Sequence, residues 1–452
     1  MQQTRVMIMA AGEGKRMKSS LAKVLHQVHG RPMIDWVLDA ARTADPHPVV
    51  IVGHGREQLT GRLAGVDIAV QQEQKGTGHA VMMARDFIPS QGYVVVMAGD
   101  MPLLKGETIA RLVEAARQEG AKACVLTAVL PDATGYGRVI RDEAGRVCCI
   151  VEHRDASEQQ RQVREINTSV YCFDAQSLAW GLERLDNHND QKEYYLTDVI
   201  GLLAKQGEKV TAMVADAEES AGVNDRVQLA QAGRVMGLRI AREHMLRGVE
   251  LVDPERTYIE KDVEIGRDTL IYPDNYLQAG TVIGEGCVLY PGNRMSQTRM
   301  GDGCRAEASV MEQAQVGAGC QIGPFAYLRP GTQVGPGCRI GDFVEIKNAN
   351  IGHDTKVSHL SYVGDADVGS HVNVGCGTVF VNYDGQRKQR SQVGDGAFIG
   401  CNSNLVAPVT VGEGAYTAAG STITEDVPDG ALAIARSRQE NKPGWVQKRR
   451  KQ

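Results

Sequence analysis

The stretch "MIMAAGEGKRM", residues 7–17, sets a loop of small residues, Ala10 to Gly14, directly after an apolar strand, with Arg16 and then Lys23 behind it. Small residues let backbone N–H groups approach a nucleotide closely, and two cations beyond them suit a polyphosphate. Two other phosphate loops are excluded. A G-x4-G-K-[ST] loop fails because one residue separates Gly12 from Gly14 and Arg16 stands where a hydroxyl is needed; the dinucleotide fingerprint fails at Met17, where it needs glycine. As a bare pattern, a plain strand-to-helix turn competes with the phosphate reading. Farther on, "AGD" ends an apolar strand in Asp100, a position from which a carboxylate reaches a ligand crevice. In the second half, Arg329 of "YLRPG" and Lys347 of "VEIKNA" stand eighteen residues apart. In a helix of stacked coils that spacing puts them in vertical register as a shared anion site.

Two kinds of architecture must position these groups. Up to about residue 225, short apolar strands ("RVMIMA", "PVVIVG", "VVVMAGD", "KACVLTAVL") alternate with helical stretches. That order predicts an α/β domain with a mostly parallel sheet and ligands at the carboxyl ends of its strands. Residues 225–247 carry Val227, Ala230, Val235, Leu238 and Met245 near helical spacing and read as a connecting helix. From about residue 263 an aliphatic residue followed by glycine recurs in hexads: "IGEGCV", "VGAGCQ", "IGPFAY", "VGPGCR", "IGDFVE", "VGDGAF", "IGCNSN", "VGEGAY". This is the signature of a parallel β-helix with eighteen residues per triangular coil. The expected division is residues 1–225, a linker helix at 226–248, and a β-helix over 249–452.

Composition narrows the class. The chain has 452 residues and net charge -5, which gives no basic field for nucleic acid or anionic lipid. No apolar run approaches the ~20 residues of a spanning helix, and the start lacks the pattern of a signal peptide, so a cytoplasmic protein without membrane insertion is expected. Ten cysteines include no C-x-x-C pair, and Cys148 and Cys149 are adjacent. Cys287, Cys304, Cys320 and Cys338 each follow the aliphatic position by four residues in "IGEGC", "MGDGC", "VGAGC" and "VGPGC". Small inward packing explains them better than a thiolate metal ladder, which needs convergent ligands.

The first loop, followed by "LAKVLHQVHGRPMI", "QKGTGHA", "AGDMPLL", "TGYGRV", "VEHRDA", "EINTSVY" and "EYYLTD" in that order, resembles the sugar-nucleotide pyrophosphorylases. With the hexad array behind it, nearly the whole chain resembles one family: the bacterial bifunctional N-acetylglucosamine-1-phosphate uridylyltransferase/glucosamine-1-phosphate N-acetyltransferases. The resemblance implies a Rossmann-like nucleotidyltransferase domain, a left-handed parallel β-helix and side-by-side homotrimers with acetyl sites between subunits. Its substrates would be glucosamine 1-phosphate, N-acetylglucosamine 1-phosphate, UTP and acetyl-CoA, with Mg2+ as cofactor.

For uridylyl transfer, the resemblance puts Ala10, Ala11, Gly12 and Gln71 on the nucleotide, and Gly76 and Thr77 on uracil. Arg16 and Lys23 would stabilise the triphosphate and departing pyrophosphate, the alignment and charge work that phosphoryl chemistry requires. Ala98, Gly99 and Asp100 close the crevice, and Asp100 with Asn224 would hold Mg2+, which prefers oxygen ligands. Gly137, Glu152 and Asn167 match sugar-binding positions. Two residues depart from the family pattern: Lys15 replaces a usual threonine and Ala22 a usual proline.

For acetyl transfer, an amine must attack a thioester, which needs a base and oxyanion donors. His359 of "VSHLSYVGDADVG" corresponds to the family's base. Arg329, Lys347, Tyr362 and Lys388 would surround the sugar phosphate, with Asn373 and Tyr383 beside the amino sugar. Asn382, Tyr383, Cys376, Cys401, Ala419 and Arg436 fall on the coenzyme side; the family commonly has alanine and serine where this chain has Cys376 and Cys401. The closing "QKRRKQ" fits either coenzyme phosphates or a solvated tail.

Two other classes share the two-part layout. A monofunctional nucleotidyltransferase with an oligomerising β-helix has no need of His359, Lys347, Tyr362 and Asn373 together. A non-enzymatic scaffold would have lost Arg16, Lys23 and Asp100. Both sets are present.

Overall fold

The computed structural model describes residues 4–450. The last two residues of the basic tail lie outside the described residues. The chain divides into two compact units, one ending at Met236 and the other starting at Gly237.

The first unit is built on a sheet of β1 (Thr4–Ala10), β2 (Val49–Val52), β3 (Asp67–Val70), β4 (Tyr93–Ala98), β5 (Ala123–Val129), β6 (Arg138–Arg141), β7 (Val147–Val151), β8 (Glu165–Asp174) and β9 (Val210–Val214). Its order is β9-β5-β8-β4-β1-β2-β3, with β6 against β8 and β7 against β6. Neighbours along that order are parallel except at β8, which runs antiparallel to β4 and β5. Alternation along the strands feeds two cores. Val6 and Ile8 pack in one layer with Ile34 and Leu112, while Met7 packs in the other with Val81 and Leu178. Both faces are therefore covered, which is why these strands read as continuous apolar runs.

The register of β1 with β4 pairs Met9 with Ala98, and Gly99 N–H donates to Met9 O at 2.9 Å. The small-residue loop and Asp100 thus leave adjacent strand ends side by side. In β8 the pairing with β5 slips between Asn167 and Val170, and Ser169 has φ 64°. Such a bulge re-aims side chains at a strand end.

The helix Arg226–Leu246 spans the division between units. Its buried face is Ala232, Met236, Ile240 and His244, spaced by four, whereas Val227, Leu238 and Met245 are exposed. The helix stands where the spacing put it, but Val227, Leu238 and Met245 lie off the seam of smaller and polar residues that is covered.

The second unit is a parallel β-helix of three sheets with eleven, ten and nine strands, each strand pairing with the third one after it until the C-terminal end, where Tyr416–Thr417 pairs with Leu432–Ala433, the second one after it. It begins at Glu250–Leu251, earlier than the glycine hexads reveal, because "LVDPERTYIE" makes its coil without them. In each two-residue strand the first side chain faces out and the second in. One sheet stacks Ile271, Leu289, Ala306, Ile322, Ile340, Val357, Val374 and Ile399, all almost fully buried. Coil length varies: Arg305 pairs with Gln321 sixteen residues on, Gln321 with Arg339 eighteen on, and Asn373 with Phe398 twenty-five on. The long coil carries a loop over 382–390 that Gln389 N–H closes on Asn382 O at 2.8 Å.

The four hexad cysteines are buried along one edge and do one thing more than fill space. Each thiol donates to a glycine carbonyl of the next coil: Cys287 to Gly301 at 3.2 Å, Cys304 to Gly317 at 3.1 Å, Cys320 to Gly335 at 3.1 Å and Cys338 to Gly352 at 2.9 Å. Thr269 and Thr355 make the same contact with hydroxyls above and below the thiols. No helix among the described residues is long and apolar enough to cross a membrane.

Candidate active sites

In the first unit the strand ends open on a cavity of about 500 Å³. Ala11, Gly12, Arg16, Gln71, Gly76, Thr77, Ala98, Asp100, Gly137, Glu152, Asn167 and Asn224 line it. Ala10 ends β1 and Gly99 directly follows β4, each next to a lining residue in the sequence. Gly76 begins the helix Thr77–Met83 with φ 102°, and a Cβ there would stand 2.5 Å from Tyr194 O, so no other residue fits without moving backbone. Gln71 Nε2 donates to Gly76 O at 3.1 Å, and Thr77 Oγ1 accepts Leu196 N–H at 3.1 Å. One wall is thereby fixed by hydrogen bonds.

The opposite wall is charged. Lys23, carried on a short 3₁₀ turn, crosses over Gly14, where a Cβ would come within 2.7 Å of the lysine stem. Its Nζ pairs with Asp100 Oδ2 and donates to Asn224 Oδ1 at 2.8 Å, and Arg16 Nη2 donates to that same oxygen at 2.8 Å. The Lys23 and Asp100 side chains are only 14% and 18% exposed, so the pair is largely withdrawn from water. Lys15 stands apart, 79% exposed and paired with Glu13 at 3.0 Å. A cation already bridges Asp100 and Asn224, an oxygen-only pair of the kind that suits Mg2+.

The third wall gathers Gly137, Glu152 and Asn167. A Cβ on Gly137 would lie 3.5 Å from both Glu152 Oε1 and Asn167 Cβ, so its absence leaves these polar groups open to a ligand. Asn167 Nδ2 donates to the buried Tyr171 hydroxyl at 2.7 Å. Burial, and then the charges of Asp155 and Asp198, hold the Glu152 carboxyl above its usual range. Sequence reasoning passed over Gln74, Tyr136, Ser169, Glu193 and Gln228, which also line the cavity. Tyr136 was within reach as the neighbour of Gly137 in "TGYGRV", whereas Ser169 enters only through the bulge.

In the second unit the register builds a column along one edge. Asp342 and His359 are paired residues of adjacent strands, and His359 Nδ1 lies 2.7 Å from Asp342 Oδ1. That hydrogen bond holds the Asp342 carboxyl below its usual range. One coil on, the pairing of Val357 with Val374 brings Cys376 into line; Val374 with Ile399 then brings Cys401, and Ile399 with Thr417 brings Ala419. Asn402 N–H to Cys376 O at 2.7 Å and Gly420 N–H to Cys401 O at 2.8 Å fasten these coils. The Arg436 side chain passes Gly420, 3.8 Å from where a Cβ would be. At the inter-strand spacing, His359 to Ala419 covers about 14 Å, enough for an extended carrier to lie along the edge.

Beside the column, Leu328 pairs with Ile346, which seats Arg329 beneath Lys347. Asp365 is the centre of this cluster. It accepts from Asn348 at 2.6 Å and from Asn382, and lies 3.9 Å from Lys347 Nζ. Burial would raise its carboxyl, but those hydrogen bonds and the charges of Lys347 and Lys388 bring it below the usual range. Lys388 in turn is lowered by Lys347 beside it. Two ammonium groups crowded in this way, with Arg329 below, favour an anion between them. Asn382 Nδ2 also reaches the Tyr362 hydroxyl at 3.3 Å. Tyr383 is exposed at the loop tip, its hydroxyl donating to Gly385 O at 2.7 Å. Asn373 is not drawn into the cluster: it sits on the outward face of its strand, in register with Lys356 and Phe398. Asp342 and Asp365 were missed in the sequence, although Asp342 precedes His359 by one short coil.

Comparison with known proteins agrees with both halves. The MobA-like NTP transferase domain family matches residues 6–162, and the bacterial transferase hexapeptide family (six repeats) matches 313–348 and 390–425. The chain is 51% identical over 98% of its length to a "Bifunctional protein GlmU" from Caldanaerobacter subterraneus subsp. tengcongensis, covering 97% of that protein. Proteins of the same name from Brevibacillus brevis and Streptomyces avermitilis are each 52% identical, over 99% and 98% of this chain and 98% and 94% of theirs.

Proposed function

The chain belongs to the bifunctional GlmU family, and from that premise we propose how its residues divide the work. The enzyme acetylates glucosamine 1-phosphate with acetyl-CoA, then transfers uridylyl from UTP to N-acetylglucosamine 1-phosphate with release of pyrophosphate. The second reaction belongs to the cavity of the first unit, and the acetyl transfer to the edge column of the β-helix. Residues 1–225, 226–248 and 249–452 serve as transferase domain, linker and acetyltransferase domain. The working form is a cytoplasmic homotrimer.

In uridylyl transfer a phosphate oxygen of the sugar attacks the α-phosphorus of UTP in line with the leaving pyrophosphate. Ala10, Ala11 and Gly12 bring bare backbone to the nucleotide, while Gln71, Gly76 and Thr77 hold the base. Glu152 and Asn167 orient the sugar across Gly137. Arg16 and Lys23 neutralise the phosphates, Lys23 leaving Asp100 as they arrive. Asp100 and Asn224, with Ala98 and Gly99 shaping the strand end, would hold Mg2+; when bound, it supplies Lewis-acid neutralisation of phosphate charge.

In acetyl transfer, Arg329, Lys347 and Lys388 hold the sugar phosphate, with Tyr362 toward the sugar. Asp342 accepts the Nδ1 proton of His359 and so leaves Nε2 as the free acceptor for the amine proton. The amine then adds to the thioester carbonyl and the coenzyme thiolate departs. The carrier runs along Cys376, Cys401 and Ala419 toward Arg436, with Asn382 and Tyr383 at its side. Cys401 is a weaker donor than the serine common at its position.

The observation that carries this reading is the column in which Asp342, His359 and Cys376 follow one another by single coils. The test incubates purified protein with glucosamine 1-phosphate, acetyl-CoA, UTP and Mg2+, and follows thiol and pyrophosphate separately. Thiol release should precede pyrophosphate release and be required for it. Pyrophosphate from N-acetylglucosamine 1-phosphate with no thiol from glucosamine 1-phosphate would leave only a monofunctional nucleotidyltransferase.

A further inference from the structure

On another edge of the β-helix, His353, Asp354 and His371 come together outside both sites. His353 and Asp354 occupy the turn before the strand Lys356–His359, and His371 occupies the equivalent turn one coil later. The coils are locked there, since His371 N–H donates to His353 O at 2.9 Å. The two imidazoles meet edge to face with centroids 4.6 Å apart. Asp354 Oδ2 lies 3.0 Å from His353 Nδ1 and 3.9 Å from His371 Nδ1, and one ligand atom from each residue falls within 4.8 Å of the others.

We propose that His353, Asp354 and His371 form a binding site for a borderline divalent metal ion, Zn2+ or a neighbouring transition metal, which clamps two successive coils. Ligand atoms around a tetrahedral Zn2+ at ~2.0–2.1 Å are about 3.3 Å apart, so the observed separations close on an ion with small side-chain shifts. Two imidazoles and a carboxylate select transition metals over Mg2+ or Ca2+, which take oxygen donors. Today a hydrogen bond from His353 to Asp354 holds the carboxylate in the gap. An ion displaces that proton and adds a bond to His371, converting a contact within one turn into a link between coils. Lys356 is the nearby opposing charge and limits affinity. The side chains are 53%, 56% and 62% exposed, so the ion keeps an open position for water. The site is independent of the functional assignment above.

The experiment titrates Zn2+ into the full chain by calorimetry, with excess Mg2+ present to occupy oxygen-only sites, and repeats it on the double variant His353→Ala/His371→Ala. Wild type should take up one more Zn2+ per chain than the double variant. Zn2+ should also raise its thermal midpoint, an effect the double variant lacks. Asp354→Asn should weaken the extra site at least tenfold, and uptake should fall as pH drops and the imidazoles protonate. Because the positions are exposed, His353→Gln/His371→Gln provides a second folded variant. Equal Zn2+ uptake by wild type and both double variants would overturn the proposal, as would full competition by Mg2+.

Discussion

If Asp342 acts only by holding His359, its removal should matter only while the imidazole is there. His359→Ala should slow acetyl transfer by roughly 10²- to 10⁴-fold, the contribution of a general base. The effect of Asp342→Ala follows from its setting. The Nδ1 to Oδ1 distance of 2.7 Å is that of a charge-assisted hydrogen bond, yet the two side chains are 54% and 38% exposed. Water competes for such a pair, so the loss should be roughly three- to tenfold in kcat rather than the far larger loss of a buried dyad. KM for both substrates should hardly change if Asp342 acts only through His359. The decisive measurement is the double variant. Groups acting as one unit are not additive, so Asp342→Ala should cost nothing further in the His359→Ala background. Coenzyme A release is the readout, and uridylyl transfer by the same preparations reports on folding. A full additional loss in the double variant would mean that Asp342 meets the substrate directly, and unchanged kcat in the single variant would mean that the tautomer needs no help.

Lys23→Met removes the ammonium between Asp100 and Asn224 and should lower uridylyl transfer about 10²-fold or more, with acetyl transfer intact; equal loss of both activities would refute separate sites. Gly76→Ala forces a Cβ onto Tyr194 O at a φ of 102°, and should cost more than about 2 kcal/mol in urea unfolding of the first unit together with its uridylyl activity. Burial first, then Asp186 and Asp155, push the Asp198 carboxyl up to about 6 from 3.8. A carboxylate raised in the folded state costs stability as pH climbs from 3.8 through about 6, and the cost persists above. Asp198→Asn should therefore be more stable than wild type by about 1 kcal/mol at pH 7.5, after discounting for its partial exposure, with the difference gone below about pH 4. Urea midpoints across that range measure it.

Both architectures were legible because their periods are local. Aliphatic-glycine hexads announce a β-helix, and apolar strands alternating with helical stretches announce a parallel sheet. What stayed hidden depends on which coils or strands become neighbours. Cys376 and Cys401 stand in one column although twenty-five residues separate them, a distance that no fixed repeat suggests. Asp342 escaped for the same reason, its coil being one residue short of eighteen. The first coil at Glu250 lacks the glycines that mark the others. Lys23, Asp100 and Asn224 meet across most of the first unit because β1 and β4 are adjacent, and family resemblance rather than spacing had paired their roles. The connecting helix was legible but its covered face was not, since the covered residues include alanine and histidine and the exposed ones valine and leucine.

The long coil with its loop over 382–390 has a consequence for how this protein can change. Extra residues leave the prism at one edge and return to it, and after them Asn404 meets Thr422 and Phe398 meets Tyr416 at the ordinary eighteen. The scaffold keeps count by coils, so length added at an edge does not shift the phase of anything downstream. The segment bearing Asn382, Tyr383 and Lys388 is in that sense a cassette. It can be lengthened, shortened or exchanged without disturbing the aliphatic stacks, which leaves substrate choice free to drift while the core beneath it stays fixed.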